Sequence, residues 1–282
     1  MTRKIMAVSL LLVMALSFIA CGGGEFPPAQ EIIDGAVQAL DDIQTYEFEM
    51  DIAMNMGAES EGETMEMTME ADYGGALDLD NQQMRLDMDL NIEMTGEEDT
   101  AGTIELYLID GNGYSMADVP GVDPVWEKEE VSQTDWEAVL EVMMLAEPQL
   151  ELLEASEVDV IGSESVKGVD CYVLRLTPDM EQLWATAGQQ AALGFTEEMG
   201  WPSFSAEVLE QASYNFSVKQ WIAKDTYYLM KVDIDMDLEL TAEAMGMPEE
   251  EGVATIAIVL KILAYNYNQP VSIELPPEAE AL

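Results

Sequence analysis

Apolar and charged residues alternate along several long stretches of this chain, most plainly in Tyr228–Leu240. Tyr228, Met230, Val232, Ile234, Met236, Leu238 and Leu240 take the even positions, with Leu229, Lys231, Asp233, Asp235, Asp237 and Glu239 between them. A period of two places the two sets on opposite faces of a strand. Asp is a poor strand former, so an Asp at every second position requires that its face meet water. The same alternation predicts strands over Tyr46–Met56, Met65–Tyr73 and Met84–Met94, with a polar tip at Gly57–Glu63 and a break at Gly74-Gly75. Shorter strands are predicted at Thr103–Ile109, Tyr114–Met116, Val158–Ile161, Val169–Leu176 and Tyr214–Ile222. Asp110-Gly111-Asn112-Gly113 carries hairpin signals, and further turns are expected around Gly162–Gly168 and Lys224-Asp225. Thr255–Tyr267 differs: Ile256, Ile258, Leu260 and Ile262 on one face and Ala257, Val259, Leu263 and Tyr265 on the other require cover on both sides. Short tips between successive strands predict an antiparallel meander, a sheet that can keep one face wet.

Helical spacing appears in three places. Ile32, Ile33, Ala36, Val37, Leu40 and Ile43 form one stripe over Ala29–Ile43, just after Pro27-Pro28. A second helix is expected from Thr134, where Thr134 and Glu137 fit a capping box and Trp136, Val139, Leu140, Met143 and Met144 share a face before Pro148. Thr177-Pro178 is expected to open a third, with Met180, Leu183, Trp184 and Ala187 as its stripe, and Ala206–Ala212 is a shorter candidate. Residues 178–212 thus read as a helical excursion between strands, placed to cover the sheet or to gate what lies beneath it.

The first residues belong to another category. Arg3 and Lys4 precede the apolar run Ile5–Ala20, too short for a membrane span, and the pattern is that of an export signal. Phe18-Ile19-Ala20-Cys21 resembles the lipobox of bacterial lipoproteins, with Phe18 where Leu is usual. That resemblance implies a diacylated Cys21 as the mature N-terminus; an ordinary cleaved signal is the alternative. Residues 21–28, with Gly22-Gly23-Gly24 and Pro27-Pro28, then form a flexible tether, and 29–282 a single domain.

Charge narrows the function classes. Asp and Glu number 57 against 10 Lys and Arg, a formal net charge of −47. Such a surface repels nucleic acid, and it is held off anionic lipid unless salt or divalent cations screen it. Solubility or a salty habitat accounts for the acids, with cation storage as the sharper alternative. Asp78-Leu79-Asp80-Asn81 begins like a calcium loop, but Gln83 stands where Gly is needed and Asp89 where Glu is expected, so no metal ligand is assigned. The chain has no histidine, which removes the usual base for a Ser or Cys nucleophile and the commonest zinc ligand. Cys171 reads as a small packed strand residue. No catalytic residue and no cofactor is assigned, and an enzyme is disfavoured.

The apolar face carries the functional question, since five or more long strands cannot leave it bare. Met54, Met56, Met65, Met67, Met69, Met84, Met88, Met94, Met230 and Met236 fall on it. Met is adaptable and suits varied apolar partners, whereas a tightly specified core favours Leu, Ile and Val. Either helices fill the face or a ligand shares it.

Trp221-Ile-Ala-Lys-Asp-Thr-Tyr-Tyr-Leu-Met-Lys231 is similar to the tryptophan-led hairpin of LolA-like and LppX/LprG-like envelope lipoproteins. Further landmarks of that family follow its order: Ala39–Phe48, Ile109–Tyr114, Val166–Leu174 and Tyr267–Pro276. The resemblance implies an α+β fold, a strongly curved antiparallel sheet forming an unclosed half-barrel with helices on its concave apolar face. It also implies a cavity for acyl chains and the carriage of lipids or lipoproteins across the envelope. On that reading Met54, Met67, Met88, Met230, Ile234 and Met236 line the cavity. The partners are then the membrane, through the acyl anchor, and acyl chains. The alternative is an envelope interaction or sensor lipoprotein with a filled core, using Thr255–Tyr267 or the acidic surface to bind a protein partner or cations.

Overall fold

The computed structural model describes residues 26–60, 63–96, 98–143, 152–153, 156–179, 213–241 and 253–282. Cys21 and its signal, Pro148 and most of the expected excursion lie outside them. The elements in order are α1 (Ala29–Ala39) with a 3-10 turn (Leu40–Asp42), β1 (Thr45–Ser60), β2 (Glu63–Asp78), β3 (Gln83–Met94), β4 (Thr100–Ile109) and β5 (Asn112–Asp118). There follow β6 (Glu127–Glu130), α2 (Gln133–Met143), β7 (Ser156–Val166), β8 (Val169–Pro178), β9 (Ser213–Ala223), β10 (Leu229–Thr241), β11 (Val253–Tyr265) and the short α3 (Pro277–Glu280).

The eleven strands of the described residues form one antiparallel sheet in the order β6-β5-β4-β3-β2-β1-β11-β10-β9-β8-β7. Every neighbour in that order is also a neighbour in sequence except at β1 and β11, where the two ends of the meander join. The sheet stays open between β6 and β7, so the fold is an unclosed half-barrel. No helix among the described residues is long and apolar enough to cross a membrane.

The alternation sorts the faces as expected along most strands. Tyr46, Phe48 and Met54 of β1 point to the buried concave side, while Glu49, Asp51 and Asn55 are exposed on the convex side. Gly74-Gly75 does not break β2, which runs on to Asp78. A Cβ on Gly75 would stand 2.6 Å from the Phe48 ring and 2.5 Å from the Arg85 carbonyl oxygen. Glycine here lets a large ring lie against the strand, a close-approach role within the sheet. The β4–β5 and β7–β8 hairpins turn through Asp110-Gly111 and Lys167-Gly168, each with positive φ at both central residues, as the tight primed turn requires. The second turn is narrower than the Gly162–Gly168 expectation. Thr177 and Pro178 close β8 instead of opening a helix, pairing with Glu157 and Ser156.

The two longer helices fill the base of the concave side. Ile32, Ile33 and Ala36 of α1 bury with Leu174, Val218, Ile222 and Ile262. Gly35 lets α1 approach Tyr227, whose ring atom lies 2.6 Å from where a Cβ would stand. Trp136 of α2 packs on Ile43, Tyr46, Phe48, Leu77, Met84 and Leu108. The cap of α2 is Ser132 with Asp135, two residues ahead of the expected Thr134 and Glu137. Ser132 N–H donates to Asp135 Oδ2 at 2.8 Å and Asp135 N–H to Ser132 Oγ at 3.3 Å. Donation from the Ser132 hydroxyl and amide holds the Asp135 carboxyl below the usual carboxylate range.

A polar and aromatic clasp ties the start of β1 to the end of β11. Asn268, at φ 56°, accepts from Gln44 N–H at 2.7 Å through Oδ1 and donates through Nδ2 to the Asp42 carbonyl and the Tyr228 hydroxyl, each at 2.8 Å. Tyr267 stacks on Tyr228 with ring centroids 4.7 Å apart and on Tyr46 at 5.7 Å. Burial pushes the Tyr267 and Tyr46 phenols well above the ordinary tyrosine value. On the convex side, Ile273, Leu275 and Ala279 lie against Tyr107, Tyr114 and Trp126. Asn268→Ala, which strands several backbone groups, should destabilise the fold by about 1–3 kcal/mol. Gly75→Val should cost more, because a side chain there meets backbone as well as a ring. Urea denaturation of each variant against the native chain checks the order.

Candidate ligand-binding face

Beyond the ends of the helices the concave face changes character. Cross-strand register sets Met54 opposite Met69 and Ile258, Met56 opposite Met67 and Ile256, and Met236 opposite Ile258. These side chains form one cluster, in which Met54, Leu238, Leu240 and Ile256 are buried and Met56, Met67, Met69, Met236, Ala254 and Ile258 half-buried. Among the described residues, every member of the cluster belongs to a strand. The helix-covered base centres on Ile262, four residues along β11 from Ile258, or about 13 Å. Met65, 64% exposed, and Met94, 41% exposed, continue the same face to its far end.

The six residues proposed from sequence as cavity wall do not form one set. Met54, Met67 and Met236 meet in the cluster. Ile234 stands between the cluster and the base, packed with Leu260 and Met50 against the group that α1 covers. Met88 shares the face farther round the sheet, half-buried between Tyr73 and Ile104 in the register. Met230 is a correction: it sits on the convex side with Trp221, Cys171 and Val173. A register shift between Leu229 and Lys231 turns Leu229 inward to Ile222 and sends Met230 outward, so the simple even count fails there. Met56, Met69, Leu238 and Ile256 were not singled out as wall residues. Their places in the apolar half of each alternating strand, and for Met69 its place opposite Met54, were the signal that pointed to them.

The tryptophan hairpin serves the convex side. Trp221 Nε1 donates to a Glu164 carboxylate oxygen at 2.8 Å, and the Lys231 ammonium lies 4.2 Å from the Trp221 ring centroid and 2.7 Å from Asp233. Cys171 is fully buried beside them, and burial pushes its thiol up to about 11. A thiol in that state is a packing group and a poor nucleophile. The outward residues of β11 obtain partial cover: Leu263 and Tyr265 pack beside this group, and Tyr265 donates to Glu49 at 2.9 Å. Asp78, from the calcium-like stretch, accepts from Asn81 N–H at 2.9 Å as a turn carboxylate. No group of three or more acidic or cysteine side chains among the described residues is arranged to hold a metal ion.

The model of a family described as "Family of unknown function (DUF6612)" matches residues 28–281. Solved structures similar to this chain include the lipoprotein LppX of Mycobacterium tuberculosis, at 13% identity and a TM-score of 0.38, covering 88% of this chain and 99% of that one. They also include LprF of Mycobacterium bovis, at 12% identity and 0.42, covering 89% and 98%. A third is a putative outer membrane lipoprotein-sorting protein domain from Vibrio parahaemolyticus, at 10% identity and 0.22, covering 87% and 95%. No curated protein matches the chain.

The burial pattern separates the methionines by their structural cost. Met54→Ala should destabilise the fold by about 2–4 kcal/mol, whereas Met65→Ala, at an exposed site, should stay within about 0.5 kcal/mol. Chemical denaturation of the two variants reads this difference directly.

Proposed function

We propose that this chain, which belongs to the family of unknown function (DUF6612), is a membrane-anchored extracytoplasmic lipoprotein that binds acyl chains along its concave face. The observation that carries the reading is the cluster of Met54, Met56, Met67, Met69 and Met236 on a sheet whose helices, among the described residues, cover only its base. Unbranched, polarizable side chains repack around flexible alkyl chains at small cost, and an apolar concavity with few polar groups is the usual form of a lipid site. Met54, Met67 and Met236 form the wall, with Ile234 at its inner end and Met88 on the flank. The chain holds and transfers its ligand without making or breaking a bond.

Anchoring belongs to the same proposal. Cys21 is diacylated after removal of residues 1–20, and residues 21–28 tether the half-barrel to the membrane. A carrier held there meets lipid at high local concentration, and the acidic convex face keeps the domain off anionic head groups. Labelled palmitate should enter the native protein and not Cys21→Ser, and that variant should move from the membrane to the soluble fraction.

The soluble Cys21→Ser protein also tests the ligand. Native mass spectrometry should find lipid co-purifying with it. Met54→Trp and Met236→Trp should weaken binding of a fluorescent fatty acid by about tenfold, or about 1.4 kcal/mol. Absence of lipid, together with no fatty-acid binding, would show a face filled by its own side chains and return the filled-core interaction protein as the better reading.

A further inference from the structure

At the same end of the strands, the convex face carries a trough that the acyl-chain reading does not use. Three successive rows cross four strands in register: Glu70, Ala53, Val259, Asp235; then Thr68, Asn55, Ala257, Asp237; then Glu66, Gly57, Thr255, Glu239. The floor is therefore β1 and β11, uncharged and mostly small. Carboxylates stand along both sides, Glu66 and Glu70 on β2 and Asp235, Asp237 and Glu239 on β10, all five exposed. The two lower rows, together with Ser213 and Asn215 on β9 beyond Glu239 and Asp237, line an open recess of about 600 Å³. None of the four ion pairs among the described residues involves these five acids. Lys261, one row above, closes the upper end of the floor.

We propose that this trough docks a basic, extended peptide segment of a partner protein. The walls lie three strand spacings apart, about 14 Å, too wide for a single cation to bridge. An extended chain along the floor sends successive side chains to alternate sides, so consecutive Lys or Arg residues reach the β2 and β10 walls in turn. Their methylene stems lie over Ala53, Ala257 and Val259, an apolar floor that an isolated ion would not use. Nucleic acid and anionic lipid are repelled by the same carboxylates, and charge complementarity selects the basic partner. β11 thereby gains the cover on its second face that its sequence requires.

The test uses the soluble Cys21→Ser protein and a dye-labelled octalysine peptide, whose consecutive lysines reach both walls when extended, followed by fluorescence anisotropy. The combined Asp235→Asn, Asp237→Asn, Glu239→Gln variant should bind about tenfold more weakly. A control removing three acids farther round the same face, Asp89→Asn, Glu105→Gln, Asp118→Asn, should stay within about twofold. Ala257→Phe, which fills the recess without changing charge, should also lose binding. Asn55→Lys, at an exposed floor position, provides a second block if Ala257→Phe fails to give a native thermal melt. The proposal is overturned if the peptide does not bind, if the control triple weakens it as much as the wall triple, or if the blocked trough binds as tightly as the open one. Fatty-acid binding by these variants should be unchanged, so this outcome is independent of the acyl-chain reading.

Discussion

The pairing of β1 with β11 is the contact on which the rest of the half-barrel depends. It joins the first strand of the domain to the last, and the clasp beside it links Gln44 to Asn268, 224 residues apart in sequence. Without that seam the molecule would be two separate meanders, β1 to β6 and β7 to β11, each with an apolar face and no means of curving it round the other. With it, the α1-covered and Trp136-covered halves of the base share Ile262 and Ala264 on one strand. The methionine cluster exists only across the seam, since Met54 and Met69 lie on one side of it and Met236 and Leu238 on the other. The convex trough has the seam as its floor.

The two faces oppose each other energetically. Asp51, Asp72 and Asp89 stand directly opposite one another on β1, β2 and β3, and Arg175 stands opposite Lys219 on β8 and β9. Like charges in such positions destabilise a sheet, and water can only reduce the penalty. The favourable contribution must come from the concave side, where Phe48, Leu77, Met84, Val232 and Leu240 are removed from solvent. Curvature helps both requirements. It crowds the apolar side chains together and splays the carboxylates apart.

Period and propensity made most of the strands legible, along with the first helix and the two tight hairpins, because each is a local property. Asp-Gly and Lys-Gly accept the positive φ that primed turns need, and the Ile32, Ile33, Ala36 stripe admits one reading. What escaped depends on partners distant in sequence. Gly74-Gly75 looked like a break because nothing local reveals the Phe48 ring that requires Gly75. The inserted residue at Met230 leaves alternation intact on paper, while the pairing with Trp221 and Ile222 reverses its side. Ser132 and Asp135 form the cap in place of Thr134 and Glu137, a shift of two residues that both pairs permit chemically. The candidate site was half visible: the methionines marked the face, but only cross-strand register separated Met54, Met67 and Met236 from Met88 and Met230.

The sheet's open gap lies between β6 and β7, two strands that follow each other in the chain. Cutting the chain there and joining β11 to β1 through a linker would leave the strand order β7 to β11 then β1 to β6, with every hydrogen-bonded neighbour consecutive. The one pairing of high sequence separation would become local, and the entropy of closing the largest loop would fall away. The β1–β11 seam is thus the pairing whose loop-closure cost is greatest, and a permuted chain would form the same strand order from neighbours in sequence.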